Sequence, residues 1–207
     1  PIIENSALVQ QTRLRAQRAE ALRRIASLAS SDATRDEILS FAVRELTNLI
    51  HPDVAGIFLV DSQRERLAFH RASYYGQLPD LPRLPREDRQ MLVTDVQYPF
   101  TVTGSQRVFQ SGDLQEETTI IPFYQRVIEA LGLRSAVVVP MVVRNDGIGE
   151  VWLGSRTPGF FNKGDLQAVV TVAGQLASVV EQSYLVEQTD ENLRRRVEQV
   201  SAIDRIN

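Results

Sequence analysis

Residues 134–165, RSAVVVPMVVRNDGIGEVWLGSRTPGFFNKGD, leave this chain few ways to fold. Ser135 to Val143 is an apolar, β-branched run of strand length, Arg144-Asn145-Asp146-Gly147 supplies turn residues, and Ile148 to Ser155 is a second strand carrying the only tryptophan, Trp152. The pair predicts an antiparallel hairpin. Past Pro158-Gly159 a helix is expected from Asn162 or Asp165 almost to Asn207, with Gly174 the only glycine or proline after Asp165.

The order of these features is informative: L-G-x-R-S at Leu131 to Ser135, then x-V-V-V-P-M and a turn, then I-G-x-V-W-L-G and F-x-x-x-D before a long helix. It resembles the GAF family of small-molecule-binding regulatory domains over roughly residues 20 to 185. The resemblance implies an α/β (α+β) fold, a central antiparallel sheet with helices on both faces and long N- and C-terminal helices. It also implies that short helices and loops between the middle strands wall a ligand pocket, while the first and last helices cover the other face.

Composition narrows the chemistry. A formal net charge of −3 gives no electrostatic reason to bind nucleic acid or an anionic membrane. The chain has no cysteine, which excludes disulfides, thiolate catalysis, Cys-ligated metals and thioether-linked chromophores. The bilin-attaching and thiol-dependent methionine sulfoxide reductase types that the resemblance brings in both need that residue. The longest apolar run, Ala136 to Val143, is broken by Pro140, so no membrane span and no signal peptide are expected, and a cytoplasmic location is. A start at Pro1 and an end inside a helix suggest a piece of a longer protein.

Upstream, Leu8 to Ala29 favours a helix; Leu22, Ile25 and Leu28 form a stripe that Arg15 and Arg18 interrupt, which suits either a solvated lead-in or a dimer contact. A second helix is capped at Thr34 or Asp32, presents Ile38, Leu39, Ala42, Val43, Leu46, Leu49 and Ile50, and stops at His51-Pro52. Val54 to Asp61 and Arg66 to Ser73 read as antiparallel strands. Pro79, Pro82 and Pro85 mark a loop over the domain edge. Val93 to Val102 is expected to be an edge strand, Gly104 to Gly112 a short helix, and Phe123 to Leu131 a helix opened by Pro122 and closed by Gly132.

The last helix carries two patterns. Leu166, Val169, Val170, Ala173, Leu176, Ala177 and Val180 form a broad face for the sheet. Val179, Val186, Leu193 and Val200 then recur every seven residues, with Leu176 and Val197 in the companion seam and Ser183, Asp190 and Asp204 as polar members, which predicts a parallel coiled-coil dimer. The expected organisation is a helix at 1–30, the domain at 31–182 and a coiled-coil linker at 183–207. A faint likeness between Glu20 to Leu28 and Glu198 to Ile206 hints at a second module downstream.

No catalytic constellation stands out. His51 and His70 have no metal-ligand spacing to carboxylates, so no metal site is expected and haem is disfavoured; phosphate loops and nucleophile motifs are absent. Cyclic-nucleotide-binding relatives carry an Asn-Lys pair and F-x-x-x-D-E. Phe161 and Asp165 reproduce part of this, but Leu166 replaces the Glu and Gly154-Ser155-Arg156 replaces the pair. Strand alternation points Val151 and Leu153 one way and Glu150 and Trp152 the other; if the first pair faces the two long helices, the second faces the loop-covered side, where the covering segments bring Phe100, Ser105, Phe109, Thr119 and Tyr124. These line either a pocket for an unknown small organic ligand or a filled core with Glu150 solvated at a strand edge. The resulting expectation is a non-enzymatic sensory domain of a signalling protein, most commonly a sensor histidine kinase, relaying ligand state through a homodimer to an output module in the same chain. A nucleotide cyclase or transcription regulator as host, and a ligand-free dimerisation spacer, are the alternatives.

Overall fold

The structure is a computed structural model that describes residues 2–61, 65–76, 90–92, 101–118, 120 and 122–204, and the side chains of these except 2–8, 90–92, 122, 123, 126, 187, 188 and 190–204. In chain order the elements are helices α1 (Ile2–Ala29) and α2 (Arg35–Ile50), strands β1 (Val54–Val60), β2 (Arg66–Tyr75) and β3 (Gln90–Leu92), helix α3 (Val102–Ser105), strand β4 (Phe109–Ser111), helix α4 (Pro122–Leu131), strands β5 (Ser135–Val143) and β6 (Asp146–Ser155), and helix α5 (Lys163–Asp204). The strands form one six-stranded antiparallel sheet in the order β3-β2-β1-β6-β5-β4.

The hairpin lies where the sequence puts it, with a tighter turn. Arg144 and Asn145 both take positive φ, 48° and 71°, and Val143 already pairs with Asp146. Gly147 is therefore a strand residue, and a different neighbour requires it: a Cβ there would sit 2.1 Å from the Thr103 carbonyl oxygen. The glycine lets α3 lie directly on β6.

Strand alternation divides the interior into two cores. Ala55, Ile57 and Leu59 of β1, Val137, Val139 and Met141 of β5, and Val151 and Leu153 of β6 meet Ile25 of α1, the Ile38–Val43 face of α2, and Val169, Val172, Ala173, Leu176, Ala177 and Val180 of α5. On the other face Val54, Phe58, Val60, Ala136, Val138 and Trp152 meet Val102 of α3, Leu114, and Tyr124, Ile128 and Leu131 of α4. Long helices on one side and short ones on the other is the expected arrangement.

Caps fix the helix ends. Thr34 and Glu37 form a reciprocal capping box on α2, and His51 closes that helix in the left-handed conformation before Pro52. Asn162 accepts from the Gly164 and Asp165 amides, while Asp165 accepts from the Asn162 amide and from Arg18 of α1 at 2.7 Å. Asp165 thus completes a second capping box and anchors α1. Arg18, which breaks the apolar stripe in sequence, is a tertiary contact.

Several expectations are corrected. Gly104 to Gly112 is not a helix: the helix is Val102–Ser105, and Phe109–Ser111 pairs with Val138–Ala136 of β5. Of the edge strand expected at Val93 to Val102, residues 93–100 lie outside the described residues and Val102 is helical; the outer strand there is Gln90–Leu92, paired to β2. Tyr74 and Tyr75 belong to β2, and the three prolines lie outside the described residues. On α5 Val170 is 42% exposed and Val172 is buried, because the helix rotates that residue towards the sheet. Leu176 is fully buried in its own domain and unavailable to a partner helix. Ala21 and Ile25 are buried too, so the second half of α1 packs within the domain. Lys163–Val186 is long and apolar enough by composition to cross a membrane, contrary to expectation, but its apolar side is the one seated on the sheet.

Candidate functional site

Glu150 occupies the middle of β6, in register with Phe58 of β1 and Pro140 of β5. A carboxylate there has no water to solvate it, and its exposure is 0%. The reading of Glu150 as solvated at a strand edge is therefore corrected: an inner strand beneath α3 and α4 leaves it no route to solvent. Four protein donors replace the water. Oε1 accepts from the Tyr124 hydroxyl at 2.7 Å and from Trp152 Nε1 at 2.9 Å. Oε2 accepts from the Thr103 amide at 3.1 Å and its hydroxyl at 2.7 Å.

Each donor arrives for a local reason. Trp152 is two residues along the strand, on the same face. Tyr124 projects from the first turns of α4, with its ring centre 4.8 Å from that of Trp152. Thr103 is delivered by α3, a single turn capped by Thr101, whose side chain accepts from the Gly104 amide. A carboxylate offers about four acceptor positions, and here the protein fills them all. Glu150 ties both short helices to the sheet.

Burial pushes the Glu150 carboxyl up from its ordinary value, and the bonds from Trp152, Tyr124 and Thr103 pull it back. Burial, with the neighbouring Glu150, also raises the Tyr124 hydroxyl. The arrangement is suited to holding a geometry; it presents no activated nucleophile.

Of the residues singled out in sequence, Glu150, Trp152 and Tyr124 come together. Ser105 sits on α3 but its hydroxyl turns back to the Val102 carbonyl. Phe109 is on β4, half-buried against the same core. Phe100 and Thr119 lie outside the described residues. Thr103 is the residue that sequence reading missed; the signal was the capping pattern Thr101-x-x-Gly104, obscured by assigning the segment to a strand. Along α4, a cleft of about 640 Å³ is lined by Leu114, Ile128 and Leu133 together with Gln125, Glu129 and Arg134, and by none of the four cluster residues.

A second polar line deserves comparison with catalytic geometry. Ser73 Oγ is 2.7 Å from His70 Nδ1, and His70 Nε2 is 3.2 Å from Asp36 Oδ1. The order matches a nucleophile, base and carboxylate. Ser73 is fully buried, however, so no substrate reaches it; the line fastens β2 to α2. Among the described residues no group of three or more His, Cys, Asp or Glu is placed to hold a metal ion.

The class defined here is an α+β domain: an antiparallel sheet with a long-helix layer on one face and, on the other, two short helices closed over a buried polar cluster. The chain belongs to the GAF domain family, whose family model matches residues 34–182. Solved structures with this fold include the GAF domain of a phosphoenolpyruvate-protein phosphotransferase from Coxiella burnetii, 13% identical with a TM-score of 0.65, covering 84% of this chain and 98% of that one. The phycoerythrobilin-bound GAF domain of a cyanobacterial phytochrome is 17% identical with a TM-score of 0.64, covering 84% and 99%. Free methionine-R-sulfoxide reductase from Neisseria meningitidis is 19% identical with a TM-score of 0.61, covering 82% and 91%. No curated protein sequence matches the chain.

Proposed function

We propose that this chain is the sensory and regulatory module of a longer signalling protein. A small ligand or a partner acting on the α3/α4 face shifts the sheet against α5, and α5 carries the change to an output module in the same chain. The observation that carries this reading is Glu150: one buried carboxylate links both covering helices to the strand whose opposite face seats α5. The cleft beside α4 is the proposed entry for the ligand. Two copies joined in parallel along Val179, Val186, Leu193, Val197 and Val200 form the relay; the seven-residue spacing and the 56% exposure of Val186 support it. A histidine kinase output is the host that the family resemblance favours, with a cyclase or transcription regulator next, in the cytoplasm and with no chemistry in this segment.

The saturation of Glu150 favours a second reading, a packed dimerisation spacer that needs no ligand. Native mass spectrometry of the purified protein separates them. A dimer with retained small-molecule mass, or thermal stabilisation by a compound panel, supports the sensor; at a hundred times its dissociation constant a ligand adds about 2.7 kcal/mol. A bare dimer that no compound stabilises supports the spacer, and a bare monomer rejects the dimeric relay.

A further inference from the structure

Where α5 leaves the domain, three elements meet on one side chain. The Tyr184 hydroxyl donates to the Val60 carbonyl at the end of β1. The Arg35 guanidinium at the start of α2 lies 5.7 Å from the centre of the Tyr184 ring. That carbonyl is reachable because of the sheet's register. In an inner antiparallel strand, alternate residues direct their backbone groups to opposite neighbours. The Asp61 amide donates to Arg66 on the β2 side, so Val60 faces the β6 side, where pairing stops at Leu59–Gly149. Tyr184 takes the position of the strand partner that is no longer there.

Past this point the contacts thin: Leu185 and Val186 are 50% and 56% exposed, Val186 only borders the α1–α2 turn, and the described Thr189 side chain bonds within α5, to the Leu185 carbonyl. The same strand also touches the buried cluster. Phe58 is in register with Glu150, and its ring centre is 6.1 Å from that of Trp152. From Phe58 to Val60 is two residues, about 6.6 Å of strand.

We propose that the Tyr184 hydroxyl is the coupling point between the Glu150 cluster and the departing helix, with β1 as the rigid element between them. A shift of β1 at Phe58 lengthens or restores the Tyr184–Val60 bond and so frees or pins α5 at its exit. This rests on the regulatory reading above and assigns it a residue. Tyr184→Phe removes the hydroxyl that makes this bond and keeps the ring beneath Arg35.

The experiment is amide hydrogen exchange across α5 from Glu181 to Thr189 in the purified chain, for wild type, Tyr184→Phe, Glu150→Gln and the double variant. Loss of one net hydrogen bond is expected to speed exchange there by about 3- to 10-fold in Tyr184→Phe. Glu150→Gln is expected to change exchange in this stretch when Tyr184 is present and to add nothing in Tyr184→Phe. An equal Glu150→Gln effect in both backgrounds, or unchanged exchange in Tyr184→Phe alone, overturns the coupling point while leaving the regulatory reading standing. No Glu150→Gln effect on α5 in either background overturns both. Should Glu150→Gln fail to fold, Thr103→Val perturbs the same carboxylate more mildly and is read the same way.

Discussion

Replacing Gly147 with alanine puts a methyl group 2.1 Å from the Thr103 carbonyl oxygen, 2.9 Å from Thr103 Cγ2 and 3.0 Å from its carbonyl carbon. The nearest obstacle is backbone, which cannot rotate aside as a side-chain tip does. Relief to an ordinary contact of about 3.3 Å requires α3 and β6 to part by roughly 1 Å. Thr103 donates twice to Glu150, at 3.1 and 2.7 Å, and the same displacement takes both beyond hydrogen-bonding range. Losing both leaves a buried carboxyl oxygen without its donors, so Gly147→Ala is expected to cost about 1–3 kcal/mol. For a chain of this size that is a fall in Tm of about 2–12 °C. Thermal unfolding by circular dichroism measures it, and Trp152, the only tryptophan, reports the cluster directly through its emission. Gly174→Ala is the control: its added Cβ meets nothing within 4 Å and it lies within α5, so it should gain up to about 1 kcal/mol. A Gly147→Ala protein melting within about 2 °C of wild type with unchanged emission refutes the proposed packing of α3 on β6.

The pH response tests the carboxylates. Because burial raises Glu150, its contribution is fully present below the ordinary value of 4.5 and is lost as pH rises through the folded value. The stability gap between wild type and Glu150→Gln, from urea midpoints, should therefore be widest near pH 4 and narrow towards pH 8; a gap that widens with pH shows that the four donors hold the carboxylate ionised. Asp53, held low by the Arg156 amide, and Asp113, held low by Arg134, act with opposite sign: their stabilisation is present above 3.8 and is lost on acidification. At the α1–α5 contact, a Cβ on Gly164 would lie 1.9 Å from Arg18 Nη1. Gly164→Ala should destabilise wild type by about 1–2 kcal/mol and be neutral or better in Arg18→Ala, a coupling that additive chemical-denaturation midpoints would contradict. Finally, Leu193→Asp should turn the proposed dimer into a folded monomer in sedimentation; a persisting dimer moves the interface to α1 or to the sheet-proximal part of α5.

What the sequence determined is local or periodic. The alternation in Ser135 to Val143 and Ile148 to Ser155 set the hairpin and the side of every residue on it, so Val151 and Leu153 were placed on one face and Glu150 and Trp152 on the other; the structure then seats the first pair on the long helices and Trp152 under the short ones. Thr34 and Pro52 bounded α2 by their own backbone chemistry. What only the tertiary structure decided is what each face meets. Period two says that Glu150 and Trp152 share a side, but not that Thr103 and Tyr124, 47 and 26 residues away, converge there and turn a strand-edge charge into a buried tie. Gly147 reads as a turn residue until α3 is laid against it, and Leu176 reads as a seam residue until the sheet claims it. Local spacing fixes a side chain's direction; its burial and its partners are fixed by segments far along the chain, which are joined only when the two cores close.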